Sequence, residues 1–94
     1  MPDISRIEAE ILRLTAARGS DKSICPSEVA RALDAAAPAD ASQDWQRHMS
    51  AVRRAAARLA RAGQIDILRK GKPIDPDAVK GVIRLRLRPG PATP

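Results

Sequence analysis

Apolar residues in this chain recur every three to four positions before Gly63 and every second position after it. The first spacing puts apolar side chains on one face of an α-helix, and the second puts them on one face of a β-strand. A chain of 94 residues has room for a single hydrophobic core, so both kinds of element must pack around it. The sequence therefore predicts one α+β domain over residues 1–88, with helices first and a small antiparallel sheet last.

Three helices are predicted before Gly63. The first covers about residues 3–18, where isoleucine and leucine recur at helical spacing. The second begins at Pro26, because proline is tolerated in the first turn of a helix. Pro38 then interrupts the helical pattern and predicts a turn, after which the third helix covers about residues 42–62. The predicted inward residues of the first helix are Ile4, Ile7, Ile11 and Leu14.

Two strands are predicted after Gly63, at residues 64–70 and 82–88. The long loop between them, residues 71–81, contains two prolines. A very short third strand is predicted near Ile24. The last six residues are rich in proline and have nothing to bury, so they are expected to form a disordered tail.

The third helix has two chemically different faces. Trp45, the only aromatic residue, heads an apolar stripe that faces the core, while arginines and small residues such as Ala57 occupy the opposite face. Arginine on a helix in the major groove can contact guanine through two hydrogen bonds. The alternative is an ordinary solvated face, although no acidic residue lies between Trp45 and Ile65. The candidate nucleic-acid contacts on this helix are Gln43, Arg47, Ser50, Arg54, Arg58 and Arg61.

In the second predicted strand, apolar residues alternate with arginines, so a row of arginines should point outward. Cations at such a position can contact phosphates and add affinity without reading sequence. The alternative is that they keep a sheet edge from aggregating and pair with Asp66 or Asp75. The candidate contacts in this region are Lys70, Lys72, Arg84 and Arg86.

Net charge supports an anionic partner. The chain carries a formal charge of +6, but residues 1–44 hold five basic and eight acidic side chains, whereas residues 45–94 hold twelve and three. A GC-rich coding sequence can explain the excess of arginine over lysine. It does not explain why the positive charge lies in one half of the chain, and such an asymmetry favours a nucleic acid or an acidic protein.

Other classes of function find little support in the sequence. The single histidine, His48, and the single cysteine, Cys25, are too few for a zinc site, and the scattered glycines form no phosphate-binding loop, so no metal or cofactor is expected. Cys25 precedes a helix, where it could be a redox sensor, although a cap or a small buried residue is the simpler interpretation. Without a membrane-spanning or leader segment, a cytoplasmic, non-enzymatic protein is expected.

The order of helix, short strand, helix, turn, helix and hairpin resembles the winged helix-turn-helix superfamily, in which a leucine ends the recognition helix and a glycine starts the wing. Residues 59–65 carry that pattern. More narrowly, the chain resembles, over about residues 4–88, a small bacterial family of domains of unknown function. That resemblance implies a winged-helix fold and no particular activity. The segments that carry it are Cys25–Ala30, Trp45–Arg53, Arg69–Pro76 and Gly81–Leu85.

Two functions follow from this interpretation. The first is duplex DNA binding, with the third helix in a groove and the hairpin as a basic wing on phosphates. The second is a protein-interaction module that binds an acidic partner, because the connection from Leu33 to Trp45 is longer than a compact helix-turn-helix allows. RNA or single-strand binding is a weaker third option, since bases commonly stack on aromatic rings in such proteins. A monomer or weak homodimer is expected.

Overall fold

The computed structural model describes residues 3–35, 45–79 and 81–88. It contains three α-helices and a three-stranded antiparallel sheet, an α+β fold consistent with a winged helix, so the predicted fold class is confirmed. The predicted turn at Pro38, the first residues of the predicted third helix and the C-terminal tail lie outside the described residues. The helices are α1 (Ile4–Arg18), α2 (Pro26–Ala35) and α3 (Met49–Arg61), and the strands are β1 (Ile65–Arg69), β2 (Lys72–Pro73) and β3 (Arg84–Leu87).

Helix α1 begins where the sequence predicts it. The carboxylate of Asp3 accepts a hydrogen bond from the backbone N–H of Arg6 at 2.9 Å and caps the helix. Ile7 and Ile11 are buried as predicted, but the next buried residue is Thr15, whereas Leu14 is only partly buried. The Thr15 hydroxyl donates to the carbonyl of Ile11 at 2.8 Å, so its burial leaves no unpaired donor.

Helix α3 begins later than the periodicity predicts. Residues Trp45–His48 form a 3₁₀ turn, a common start for an α-helix, and the α-helix itself covers Met49–Arg61. The tighter turn brings His48 into the interior, where its Nε2 lies 3.6 Å from a carboxylate oxygen of Asp34. Trp45 is only partly buried, and the guanidinium of Arg31 lies over its ring at 4.6 Å.

Gly63 ends α3 by a Schellman motif. Its φ of 81° lies in the left-handed region that glycine adopts without strain. The N–H of Gly63 donates to the carbonyl of Ala60, and the N–H of Gln64 donates to that of Leu59, both at 3.0 Å. The predicted boundary between helices and sheet therefore lies at this residue, and β1 starts two residues later.

The sheet has the order β2-β1-β3, and both neighbouring pairs are antiparallel. Strands β1 and β2 are joined by Lys70 and Gly71, which both have positive φ, as a tight hairpin turn requires. The predicted long loop thus contains a second strand and a 3₁₀ turn, Pro76–Ala78. Where the sequence predicts a very short strand near Ile24, the structure has a single isolated bridge from Ile24 to Leu85.

One buried cluster joins the helices to the sheet. It includes Ile7 and Ile11 of α1, Val52 of α3 and Ile67 and Leu85 of the sheet, all at most 2% exposed. Because the cluster contains residues of all three helices and of β1 and β3, the helices and these strands bury their apolar faces against each other. No helix in residues 3–35, 45–79 or 81–88 combines the length and apolar character needed to cross a membrane.

Candidate nucleic-acid interface

The candidate contact residues on the outer face of α3 and of the 3₁₀ turn before it are exposed, as the helical wheel predicts. Arg47, Ser50, Arg54, Arg58 and Arg61 all have exposed side chains, and Gln43 lies outside the described residues. Arginines that repel one another along a helix need compensating charge, and the local sequence contains none. The structure supplies that charge from distant segments.

Three of the four arginines on this face lie beside carboxylates of other elements. Exposed pairs of this kind are weak individually, but each one lowers the positive charge that a phosphate would meet. In the described part of the chain, Arg54 is the one arginine of this face without a carboxylate within 4 Å. The pairs are Arg47 with Asp34 of α2 at 3.5 Å, Arg58 with Glu8 of α1 at 2.9 Å, and Arg61 with Asp77 of the 3₁₀ turn after β2 at 3.0 Å.

Asp66 of β1 forms ion pairs with two arginines, one in β3 and one directly after it. Its carboxylate accepts hydrogen bonds from Arg88 at 2.8 Å and Arg86 at 3.1 Å, so the predicted alternative of pairing with Asp66 is correct for Arg86. Asp75, the other acidic candidate, instead accepts from the backbone N–H of Asp77 at 2.9 Å. Burial alone would raise the pKa of Asp66, but the hydrogen bonds from Arg88 and Arg86 outweigh it and lower that pKa.

Replacing Asp66 by asparagine should destabilise the fold in a pH-dependent way. A carboxylate whose pKa is lower in the folded state stabilises it above the ordinary pKa of about 4, and this contribution disappears as pH falls through the folded pKa. At pH 7 we expect Asp66→Asn to lower the free energy of unfolding by about 1 to 3 kcal/mol. Urea unfolding from pH 7 down to pH 3 should show this difference shrinking below pH 4; an unchanged difference would contradict the role of the carboxylate.

Arg84 forms no ion pair with a carboxylate of the described residues, and its hydrogen bonds go to neutral groups. Its Nε donates to the hydroxyl of Ser23 at 2.7 Å, and its Nη2 donates to the carbonyl of the same residue at 2.9 Å. Arg18 also donates to that carbonyl, at 3.1 Å, but Arg18 is paired with Glu28 at 2.6 Å. These contacts fix the direction of the Arg84 guanidinium without neutralising it.

A groove of about 450 Å³ lies between the β1–β2 turn and the start of β3. Arg69, Lys70 and Arg84 line it together with apolar side chains of Leu68 and Val82, and none of the described residues that line it carries a carboxylate. Val82 is 83% exposed, which is unusual for a large apolar residue. The groove therefore combines a cationic rim with an apolar surface.

Arg53 of α3 also contacts this region, although it is not among the candidates predicted from the sequence. Its Nη2 donates to the carbonyl of Gly81 at 2.9 Å, and a Cβ at Gly81 would lie 3.8 Å from Nη2 of Arg69. Lys72 lies opposite Arg69 in the β1–β2 register. Arg53 and Arg69 thus lie at the junction of α3 and the sheet. We define the wing patch as Arg53, Arg69, Lys70, Lys72 and Arg84.

The contacts of Cys25 and His48 are those of residues with a structural role. Cys25 caps α2: its backbone N–H donates to the Glu28 carboxylate at 2.8 Å, and the Ser27 hydroxyl donates to its sulfur at 3.0 Å. His48 is 4% exposed and contacts Asp34. Neither residue belongs to a cluster of three potential metal ligands within the described segments. The cap interpretation of Cys25 agrees with these contacts.

The chain matches no curated protein. A family model described as "Protein of unknown function (DUF3253)" matches residues 4–88, the span over which the sequence resembles a family of unknown function. This match covers every described helix and strand. The chain therefore belongs to the DUF3253 family of proteins of unknown function.

Proposed function

We propose that this chain is a winged-helix protein that binds duplex DNA through the exposed part of α3 and the wing patch. One observation carries the proposal: the exposed part of α3 and the wing patch hold cations that pair with no carboxylate of the described residues. These cations are Arg53, Arg54, Arg69, Lys70, Lys72 and Arg84.

The pairing pattern refines the predicted contacts. Ser50 and Arg54 on α3 remain the best candidates to reach base edges, since both are exposed, no ion pair of the described residues holds Arg54, and Ser50 is small. The wing patch would contact phosphates, where charge matters more than geometry. Arg58, Arg61 and Arg86 would contribute less in this conformation, because carboxylates already accept their hydrogen bonds.

A titration of fluorescently labelled generic duplex tests this function. At low salt we expect micromolar or tighter binding, because each neutralised phosphate releases counterions. If all six cations contact phosphates, log K should fall against log salt with a slope of about −5. Fluorescence anisotropy at several salt concentrations measures both quantities. Absence of binding at micromolar protein and low salt would refute the proposal.

A protein-interaction module is the second candidate, and the apolar surface of the groove favours it. An acidic peptide with an apolar anchor could place its carboxylates on Arg69 and Arg84 and its anchor on Val82. Val82→Ser separates the two functions in the same titration. Duplex affinity should change less than about twofold, since phosphate contacts do not need an apolar side chain, whereas an acidic peptide partner should bind more weakly.

A further inference from the structure

We propose that Asp77 occupies a phosphate subsite on α3, and that duplex DNA displaces it to recruit Arg61. This inference rests on the proposed DNA binding and adds a regulated contact to it. We call Asp75–Val79 the strap, since these residues follow β2 and lie against α3. In the undisplaced state described here, the strap withholds one arginine from the exposed face of α3.

The strap presents a single carboxylate to α3 by a defined turn. Asp75 caps the 3₁₀ turn, accepting at its side chain from the N–H of Asp77 and at its carbonyl from the N–H of Ala78, both at 2.9 Å. The Asp77 carboxylate then accepts two hydrogen bonds from Arg61, from Nε at 3.0 Å and from Nη2. Both bonds go to the same oxygen, Oδ1. Arginine also uses two N–H groups when it holds a phosphate, where they reach two oxygens.

The strap also covers one flank of the predicted recognition face. Ala57 precedes Arg61 by about one turn and was expected beside the exposed arginines, yet it is only 9% exposed. Arg53, one turn earlier on the same flank, donates to the carbonyl of Gly81. The segment that follows β2 therefore contacts α3 along two turns. The accessible part of the predicted recognition face is thereby reduced to the region of Ser50 and Arg54.

Among the ion pairs on the exposed face of α3, the one between Arg61 and Asp77 is the easiest for a competing anion to break. The side chains of Arg61 and Asp77 are 54% and 69% exposed, so water and salt screen their attraction. Glu8, which holds Arg58 on the other flank, belongs to a helix and has a side chain only 20% exposed. A backbone phosphate near Arg61 would thus compete with an exposed, screened carboxylate, whereas Arg58 stays held by α1.

Arg61 and Arg58 also flank a shallow depression of about 560 Å³ at the end of α3, which Glu8, Leu59 and Gln64 help to line. When Asp77 leaves, the Arg61 guanidinium becomes available at the edge of this depression. A structural role for Arg61 alone, favourable at the negative end of a helix, would not depend on Asp77. The two roles therefore predict different outcomes when only Asp77 is changed.

Asp77→Asn tests the inference, with Glu10→Gln as its matched control. Both substitutions replace a carboxylate by an amide and so raise the net charge by one. Each also frees one exposed arginine, because Asp77 pairs with Arg61 and Glu10 pairs with Arg13 on α1. In the duplex titration, Asp77→Asn should bind about two- to fivefold more tightly than wild type. Its salt slope should be steeper by about 0.9, the value for one more phosphate contact, while Glu10→Gln should match wild type.

Three results would overturn the inference, and they separate it from the proposed function. Unchanged affinity and slope in Asp77→Asn, with a wild type that binds, would overturn the strap alone. Equal gains in Asp77→Asn and Glu10→Gln would show a general charge effect and also overturn it. If neither wild type nor Asp77→Asn binds duplex, both proposals fail. Amide hydrogen exchange adds a second measurement, since the N–H groups of Asp77 and Ala78 should exchange faster in the duplex complex.

Discussion

Leu85→Ala is expected to lower the free energy of unfolding by about 3 to 4 kcal/mol. Leu85 is fully buried, and its backbone exchanges two hydrogen bonds of 2.8 Å with Ile24. It also lies opposite Ile67 in the β1–β3 register. A cavity at this position would therefore weaken both the sheet and its connection to the segment between α1 and α2.

The expected loss is large for a domain of this size, because total stabilities are typically about 5 to 15 kcal/mol. The described core contains no buried aromatic side chain that could shift to fill the space, and its partners are mainly isoleucine, valine and alanine. Urea unfolding followed by circular dichroism measures the difference. Val82→Ala is the control: it removes apolar atoms near the same strand from a residue that is 83% exposed, and should cost less than about 0.5 kcal/mol. A loss below 1 kcal/mol at Leu85 would contradict its central position.

The fold could be predicted because its boundaries depend on local chemistry. Asp3 caps α1, Pro26 opens α2, and Gly63 ends α3, and each of these residues acts within one turn of its own position. The change in apolar spacing at Gly63 then fixes where the strands begin. The bridge at Ile24 was predictable for the same reason, as a short apolar segment next to a helix start.

The departures from prediction depend on tertiary packing. Thr15 replaces Leu14 as a buried residue because its hydroxyl can bond within the helix, which periodicity of apolar residues does not register. His48 turns inward beside Asp34, which precedes it by fourteen positions, and the 3₁₀ turn at Trp45–His48 accompanies that contact. A helical wheel assumes α-geometry throughout, so it could not place this turn.

The sequence predicts which face of α3 is exposed, but it does not predict which of the arginines there pair with a carboxylate. The wheel placed Arg58 and Arg61 on the exposed side correctly, but their partners Glu8 and Asp77 come from other elements. Arg53 was missed because its contact with Gly81 spans 28 positions of the sequence. A sequence therefore indicates which cations reach solvent, whereas the tertiary fold decides which of them keep an unpaired charge.

The double substitution Arg69→Glu with Lys70→Glu is expected to weaken duplex binding by about 30- to 100-fold at low salt, because two phosphate contacts become two repulsions. These two residues line the groove, and no described hydrogen bond or ion pair depends on either side chain, unlike Arg84, which fixes Ser23. The fold should therefore survive, which thermal unfolding can verify.

Arg6→Glu with Arg13→Glu is the matched control for this pair, since it makes the same change in net charge on exposed positions of α1. If binding followed net charge alone, both double variants would lose affinity equally, as long-range attraction to an anionic polymer requires. If the wing patch contacts phosphates, the loss should be at least tenfold larger in the Arg69 and Lys70 variant, and its salt slope should fall by about 2. Equal losses in anisotropy titrations would remove the wing patch as the contact surface. The larger loss would place the duplex against β1 and the β1–β2 turn, next to the exposed part of α3 that carries Ser50 and Arg54.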